Sequence, residues 1–213
     1  DFIASEVLDD MPLALHDFLL RVSVLPELTV LRAAAVSGDA RAAERFDEIE
    51  RRGLFATVLE ADERTLVLHD LFREALLDRL RRRWPEQEAA LLRRAADSET
   101  DPVRRVNYLL RARDWPAAEQ ALAQAAPALL LAGGMRELLR LVDSFEPGWR
   151  DHSPRLQRLA AMACTLRWDW EPMARHLRAA VDAARALGDR DEQDLAEAHL
   201  AGALYPLDQN AEG

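Results

Sequence analysis

The sequence predicts a mainly α-helical chain with one short β-hairpin near residue 60, followed by stacked helical pairs. Three observations predict it. Apolar residues recur at helical spacing along most of the chain. Two short, partly β-branched runs, FATVL at 55–59 and TLVL at 65–68, flank the polar loop EADER at 60–64. From Pro85 onward strand signals vanish, and short helices follow one another across brief polar joints.

The elements follow in order. Phe2 to Asp10 reads as an amphipathic helix, with Phe2, Ile3, Val7 and Leu8 apolar. Leu13 to Val22 is a second, carrying Leu15, Phe18, Leu19 and Val22. Pro26 breaks the chain. Thr29 then caps a short apolar helix that Gly38 closes. Asp39 or Ala40 opens the next helix, with Ala42, Ala43, Phe46 and Ile49 on one face, and Gly53 ends it. After the hairpin, Asp70 caps a helix with Leu71, Phe72, Ala75, Leu76 and Leu80 inward. Arg79 and Arg81 to Arg83 crowd its C-terminus, where cations complement the helix dipole.

Helices and a hairpin in this order outline a winged-helix domain, placed at residues 1–95. Residues 96–213 read as a helical arm and the start of a tetratricopeptide-like, right-handed superhelix. Weak self-similarity supports the repeats: ARDWPAAEQALAQAA at 112–126 resembles RWDWEPMARHLRAAV at 167–181. In both, an Asp-Trp pair precedes a first-turn proline and an Ala/Leu helix. Asp114 and Asp169 are candidate N-caps. Tyr108, Trp115, Trp168 and Trp170 are candidates to line an effector surface or, alternatively, to pack between helices.

Composition narrows the function. The 213 residues are 49% hydrophobic and carry a net charge of −10, with 38 acids against 28 basic residues. Such a chain lacks the positive field that nucleic acid or an anionic membrane attracts. Every basic residue is arginine. A P-loop needs lysine, so none is present, and lysine Schiff-base chemistry is excluded. The single cysteine, Cys164, allows no internal disulfide and reads as a small core residue in a reducing, cytoplasmic protein. No apolar run reaches membrane-spanning length.

The five histidines His16, His69, His152, His176 and His199 show no helical metal spacing. No glycine-rich phosphate loop or nucleophile motif occurs, so the expectation is a non-enzymatic protein with no metal and no cofactor of its own. The chain starts at Asp1 inside an expected helix, and is read as a piece of a longer protein.

The charge of the helix before the hairpin bears on DNA. Residues 39–52 hold five acids against four arginines, and the wing holds Glu60, Asp62 and Glu63 against Arg64. Residues 1–100 hold 21 acids and 14 arginines. A winged helix used as an internal protein module fits better than one that grips phosphates.

Residues 46–87, FDEIERRGLFATVLEADERTLVLHDLFREALLDRLRRRWPEQ, resemble the winged-helix domain of the MalT-like regulators. These are LuxR-family transcription factors within the STAND class of nucleotide switches. The segment before it resembles the entry to that domain. Residues 91–145 resemble the first helical pairs of the sensor region. The resemblance implies a middle fragment that couples nucleotide state and effector binding to self-association and transcription activation. It also implies an upstream nucleotide-binding domain in the same chain and a small-molecule or protein effector on the repeats. ATP or ADP would belong to the full-length protein.

LHD at 68–70 resembles the MHD motif of related NB-ARC switches, with Leu68 in place of Met. That resemblance implies that His69 contacts the β-phosphate of ADP and that Asp70 holds the loop. On chemistry alone, His69 reads as a structural polar residue at a strand–helix junction. A helical-repeat adaptor that never meets nucleotide is the alternative reading of the whole chain.

Overall fold

The computed structural model describes residues 11–54, 56–59, 64–165 and 167–211. The expected helix at Phe2–Asp10 and the wing-tip acids Glu60, Asp62 and Glu63 lie outside these. The chain divides into two compact units, residues 1–113 and 114–213.

The first unit runs α1 (Leu13–Val22), β1 (Leu28–Thr29), α2 (Val30–Ser37), α3 (Ala42–Arg51), β2 (Ala56–Leu59), β3 (Thr65–Leu68) and α4 (Asp70–Arg83). Two further helices, α5 (Gln87–Asp97) and α6 (Pro102–Arg111), complete it. β2 and β3 form the expected antiparallel hairpin, with Val58 opposite Leu66. The structure adds a third strand: β1 pairs antiparallel with β3, Leu28 opposite Leu66, giving the order β1-β3-β2. Two residues are too few to show a period, so β1 was not visible in the sequence. Helix, strand, two helices and a hairpin that closes on the first strand make a winged helix, and the chain as a whole is mainly helical.

Local chemistry sets the boundaries. Thr29 caps α2, its Oγ1 accepting the Arg32 N–H at 3.3 Å. Gly38 closes α2 in the left-handed region at φ 72°. Asp39 does not open α3, which begins at Ala42. Its carboxylate instead accepts the Arg41 N–H at 2.9 Å and the Arg45 Nε–H at 3.0 Å. Past the end of α3, Gly53 sits at φ 60°. The Leu54 N–H reaches the Ile49 carbonyl and the Gly53 N–H reaches that of Glu50, a Schellman closure.

The core of this unit is built from Leu15, Phe18, Leu19, Phe46, Ile49, Leu66, Phe72, Leu76 and Leu80, all buried. Phe18 and Phe46 meet edge to face, with centroids 6.5 Å apart. Two expected inward residues turn out otherwise. Ala43 is exposed. Leu71 is 83% exposed, while Leu77 takes an inward place on α4. At the junction, Leu68 and Phe72 already fill the inward direction, so Leu71, one residue before Phe72, faces out.

The second unit is helical throughout its described residues: α7 (Trp115–Leu131), α8 (Met135–Asp143), α9 (Pro147–Arg150), α10 (Pro154–Thr165), α11 (Trp170–Leu187) and α12 (Arg190–Ala211). The two Asp-Trp sequences form the same turn. Arg113 and Trp168 sit at φ 53° and 59°. Asp114 and Asp169 follow as N-cap residues with nearly identical backbone angles, φ/ψ −87°/73° and −88°/75°. Neither carboxylate makes the expected capping bond; that of Asp169 pairs with Arg167 at 3.0 Å. Trp115 packs against Phe145, centroids 6.0 Å apart, and Trp170 meets Trp168 at 5.4 Å. Cys164 is buried, and burial pushes its thiol pKa up, as a core residue requires.

Two predictions follow from this packing. Phe46→Ala should destabilise the first unit by about 3–5 kcal/mol in urea unfolding, the range for emptying a buried aromatic site. A loss under about 1 kcal/mol would contradict the packing. His16 is buried on α1, and burial, then the charges of Arg79 and Arg83, lower its pKa against the opposing effect of Asp17. The unfolded chain protonates this residue near its ordinary pKa of about 6.5, whereas the folded chain does so only at lower pH. The unfolded state therefore binds more protons in that window, and stability falls as pH drops below about 6.5. His16→Gln should flatten the decline of melting temperature between pH 7 and pH 5.5; an unchanged slope would reject the assignment.

Candidate functional site at the hairpin–helix junction

The hairpin delivers His69 and Asp70 to the start of α4. Leu66 and Leu68 alternate inward along β3, and Phe72 anchors the first turn of the helix. Between these anchors His69, Asp70 and Leu71 are all exposed. The residue at the N-cap position is His69, not Asp70: its φ/ψ of −55°/137° is extended, and its carbonyl accepts the Arg73 N–H at 2.9 Å. Asp70 is the first helical residue. Its carboxylate lies 3.5 Å from Arg73 Nη2 and is favourably placed near the positive end of the helix dipole. The strand ends one residue before the helix begins, which shifts the cap position from Asp70 to His69.

The junction can do two things chemically. An imidazole at a helix start can donate to a phosphate oxygen near the positive end of the helix dipole. The adjacent Leu71 offers an apolar contact to a neighbouring protein surface.

Most of the positive charge on and beside the helix before the hairpin is paired internally, with Arg51 the exposed exception among the described residues. Arg64 lies 2.7 Å from Asp47 and 2.6 Å from Glu50. Arg52 lies 3.2 Å from Glu48, and the largely buried Arg45 lies 3.0 Å from Asp39. The Arg41 backbone N–H, then the Arg45 guanidinium, hold the Asp39 carboxyl below its ordinary pKa.

Residues 4–88 match the family model described as the MalT winged helix domain. Over this stretch, about two fifths of the chain, the protein is similar to a MalT-type winged helix. The match ends at the start of α5, while the compact unit continues to Arg113.

A second candidate lies wholly in the second unit. A cavity of about 440 Å³ is lined by Asp143, Arg150, Gln157, Arg175 and His176, with an apolar wall that includes Val142. The buried Gln157 donates Nε2–H to the Arg150 carbonyl at 3.1 Å. Its Oε1 therefore accepts from His176 Nδ1–H, 2.8 Å away. Burial, then Arg175, lowers the His176 pKa and favours the neutral ring, whose Nε2 is then an acceptor. Sequence reading missed this constellation because Gln157 and His176 are on different helices and no motif spacing links them. The aromatic candidates divide: Tyr108 is buried in the first unit, bonded to Arg32, and lines no effector surface in the second. Trp168 is 74% exposed.

Among the described residues no cluster of His, Cys, Asp and Glu fits a metal ion. No described helix is long and apolar enough to cross a membrane.

The His176 geometry yields a stability test. Gln157→Leu leaves the His176 Nδ1–H and the Arg150 carbonyl without their partner and should cost about 1–3 kcal/mol in denaturant unfolding. A neutral outcome would show that the Gln157 bridge is not formed.

Proposed function

We propose that this chain is the regulatory middle of an ATP-dependent, LuxR-type regulator of the MalT-like kind. In this reading the winged helix packs against a nucleotide-binding domain upstream in the same chain, and the helical pairs receive a small-molecule or protein effector. The two ligands bias one closed-to-open equilibrium that controls self-association and transcription activation. The observation that carries the reading is the match of residues 4–88 to the MalT winged helix domain. The exposed triplet His69, Asp70 and Leu71 supports it, because it presents a phosphate donor and an apolar contact side by side.

His69 is the proposed ADP contact, and Asp70 steadies its loop from the first turn of α4. The cavity around His176 is the proposed effector site. It offers acceptors, cations and an apolar wall to a small polar ligand. The fragment itself makes no direct contact with nucleic acid in this reading, because acids outnumber arginines across residues 39–52 and Arg45, Arg52 and Arg64 are paired with carboxylates. Catalysis of ATP hydrolysis, where it occurs, belongs to the upstream domain.

The adaptor reading, tetratricopeptide-like helices that bind a protein without nucleotide, draws on a different observation. Pro127, Leu130, Leu131 and Met162 line an apolar depression in the second unit, with Leu131 91% exposed. The two readings separate in the full-length protein. His69→Ala should weaken ADP retention roughly tenfold, the loss expected for one hydrogen bond to a charged group. It should also raise basal promoter activity without inducer. Unchanged ADP retention with normal inducer dependence would reject His69 as the sensor. Absence of a P-loop in the gene upstream would favour the adaptor.

A further inference from the structure

A cavity of about 360 Å³ lies in the first unit where α1, the end of α2 and α5 converge, away from the hairpin–α4 junction in sequence. Arg21, Ser37, Gln87 and Arg94 supply its polar lining, and Ala90 and Leu91 its apolar side. Both guanidiniums are held in place. Arg21 donates Nη1–H to the Ser37 carbonyl at 3.2 Å and lies over the Trp84 ring, 5.7 Å from its centroid. Arg94 donates Nη1–H to the Val36 carbonyl at 3.3 Å.

Two guanidiniums converge here on one cavity with no acid among its lining residues. Arg32, Arg45, Arg64, Arg81, Arg83 and Arg104 of the same unit each pair with a carboxylate. Arg21 and Arg94 have no carboxylate partner among the described residues. Two acids that share their helices are committed elsewhere: Asp17 faces Arg83 at 3.3 Å, and Glu88 faces Arg81 at 2.8 Å. The carbonyl end of α2 offsets only about half a charge, against two full positive charges. Each guanidinium carries five N–H donors, so capping α2 leaves most of them available.

We propose that this cavity is a binding site for a phosphate-type oxyanion. Two guanidiniums on separate helices suit a tetrahedral dianion, which can accept from both, better than a single carboxylate, which fills one fork. The Gln87 amide, on the same rim, adds a neutral donor. Binding would tie α1 to α5 across the end of α2 and so stiffen the unit. The site stands independently of the role of His69.

The test is thermal unfolding of the 213-residue chain in inorganic phosphate against chloride, at matched pH and ionic strength. Phosphate should raise the melting temperature of the first unit by at least about 2 °C when in large excess over its dissociation constant. Arg94→Gln and Arg21→Gln should each abolish the rise, and His69→Ala should leave it intact. Should one arginine variant fail to fold, judged by circular dichroism, the other decides. A parallel titration with ADP distinguishes the source: an Arg94-dependent rise means that nucleotide-borne phosphate also enters, whereas a rise with inorganic phosphate alone means a free anion. No phosphate-specific rise, or an equal rise in both arginine variants, would overturn the site.

Discussion

The first unit depends on one buried ion pair. Arg32 Nη2 lies 2.7 Å from Glu99 Oε2, with side chains 16% and 6% exposed. Arg32 also donates to the Tyr108 hydroxyl at 3.1 Å and lies over that ring. Glu99 Oε1 accepts the N–H groups of Thr100 and Asp101, and Asp101 in turn caps α6 through the Arg104 N–H at 2.7 Å. One knot therefore joins α2 of the winged helix, the α5–α6 turn and α6 itself. Such a pair adds little net stability over an apolar substitute, but removing one partner strands the other charge in the interior. The Arg32 Nε–H, buried and without an acceptor, adds to the desolvation cost of burying the pair. Arg111, donating to the Val24 carbonyl at 3.1 Å, and Arg104, paired with Glu27 at 3.0 Å, make the same connection at the surface. This explains why the compact unit runs to Arg113 although the family match ends at residue 88.

In the winged helix, Arg45, Arg52 and Arg64 around the helix before the hairpin are tied to acids, while the strand–helix junction leaves His69, Asp70 and Leu71 outward. A DNA reader would need the opposite arrangement, with free cations on the helix and wing. A module that docks against another domain and senses a ligand at the seam needs an exposed polar–apolar pair on a rigid support. The packed hairpin and α4 provide that support.

Much of the fold was legible because it is written in local chemistry. The apolar stripe of Leu13–Val22, the Thr29 cap, the left-handed glycines 38 and 53 and the two β-branched runs each act within a few residues. The Asp-Trp repeat also survived into structure, though through a left-handed residue before the Asp and not through its carboxylate. What stayed hidden depends on tertiary packing. β1 exists only because β3 pairs with it, Leu71 is outward because Leu68 and Phe72 occupy the interior, and Tyr108 is claimed by Arg32, 76 residues away. The candidate junction was legible in position, through LHD, but its cap assignment fell one residue off. The His176–Gln157 and Arg21–Arg94 pairs have no sequence spacing that could announce them.

The central structural claim is that α5 and α6 belong to the winged-helix body through the Arg32–Glu99 pair. A double-mutant cycle with Arg32→Met and Glu99→Gln, read by urea unfolding, tests it most directly. Each single change should cost about 3–5 kcal/mol, because each leaves a buried partner uncompensated. The double change should cost markedly less than the sum, with a coupling of at least about 1.5 kcal/mol. Additivity within about 0.5 kcal/mol would contradict the claim and leave the two helices without the tie that joins them to the winged helix.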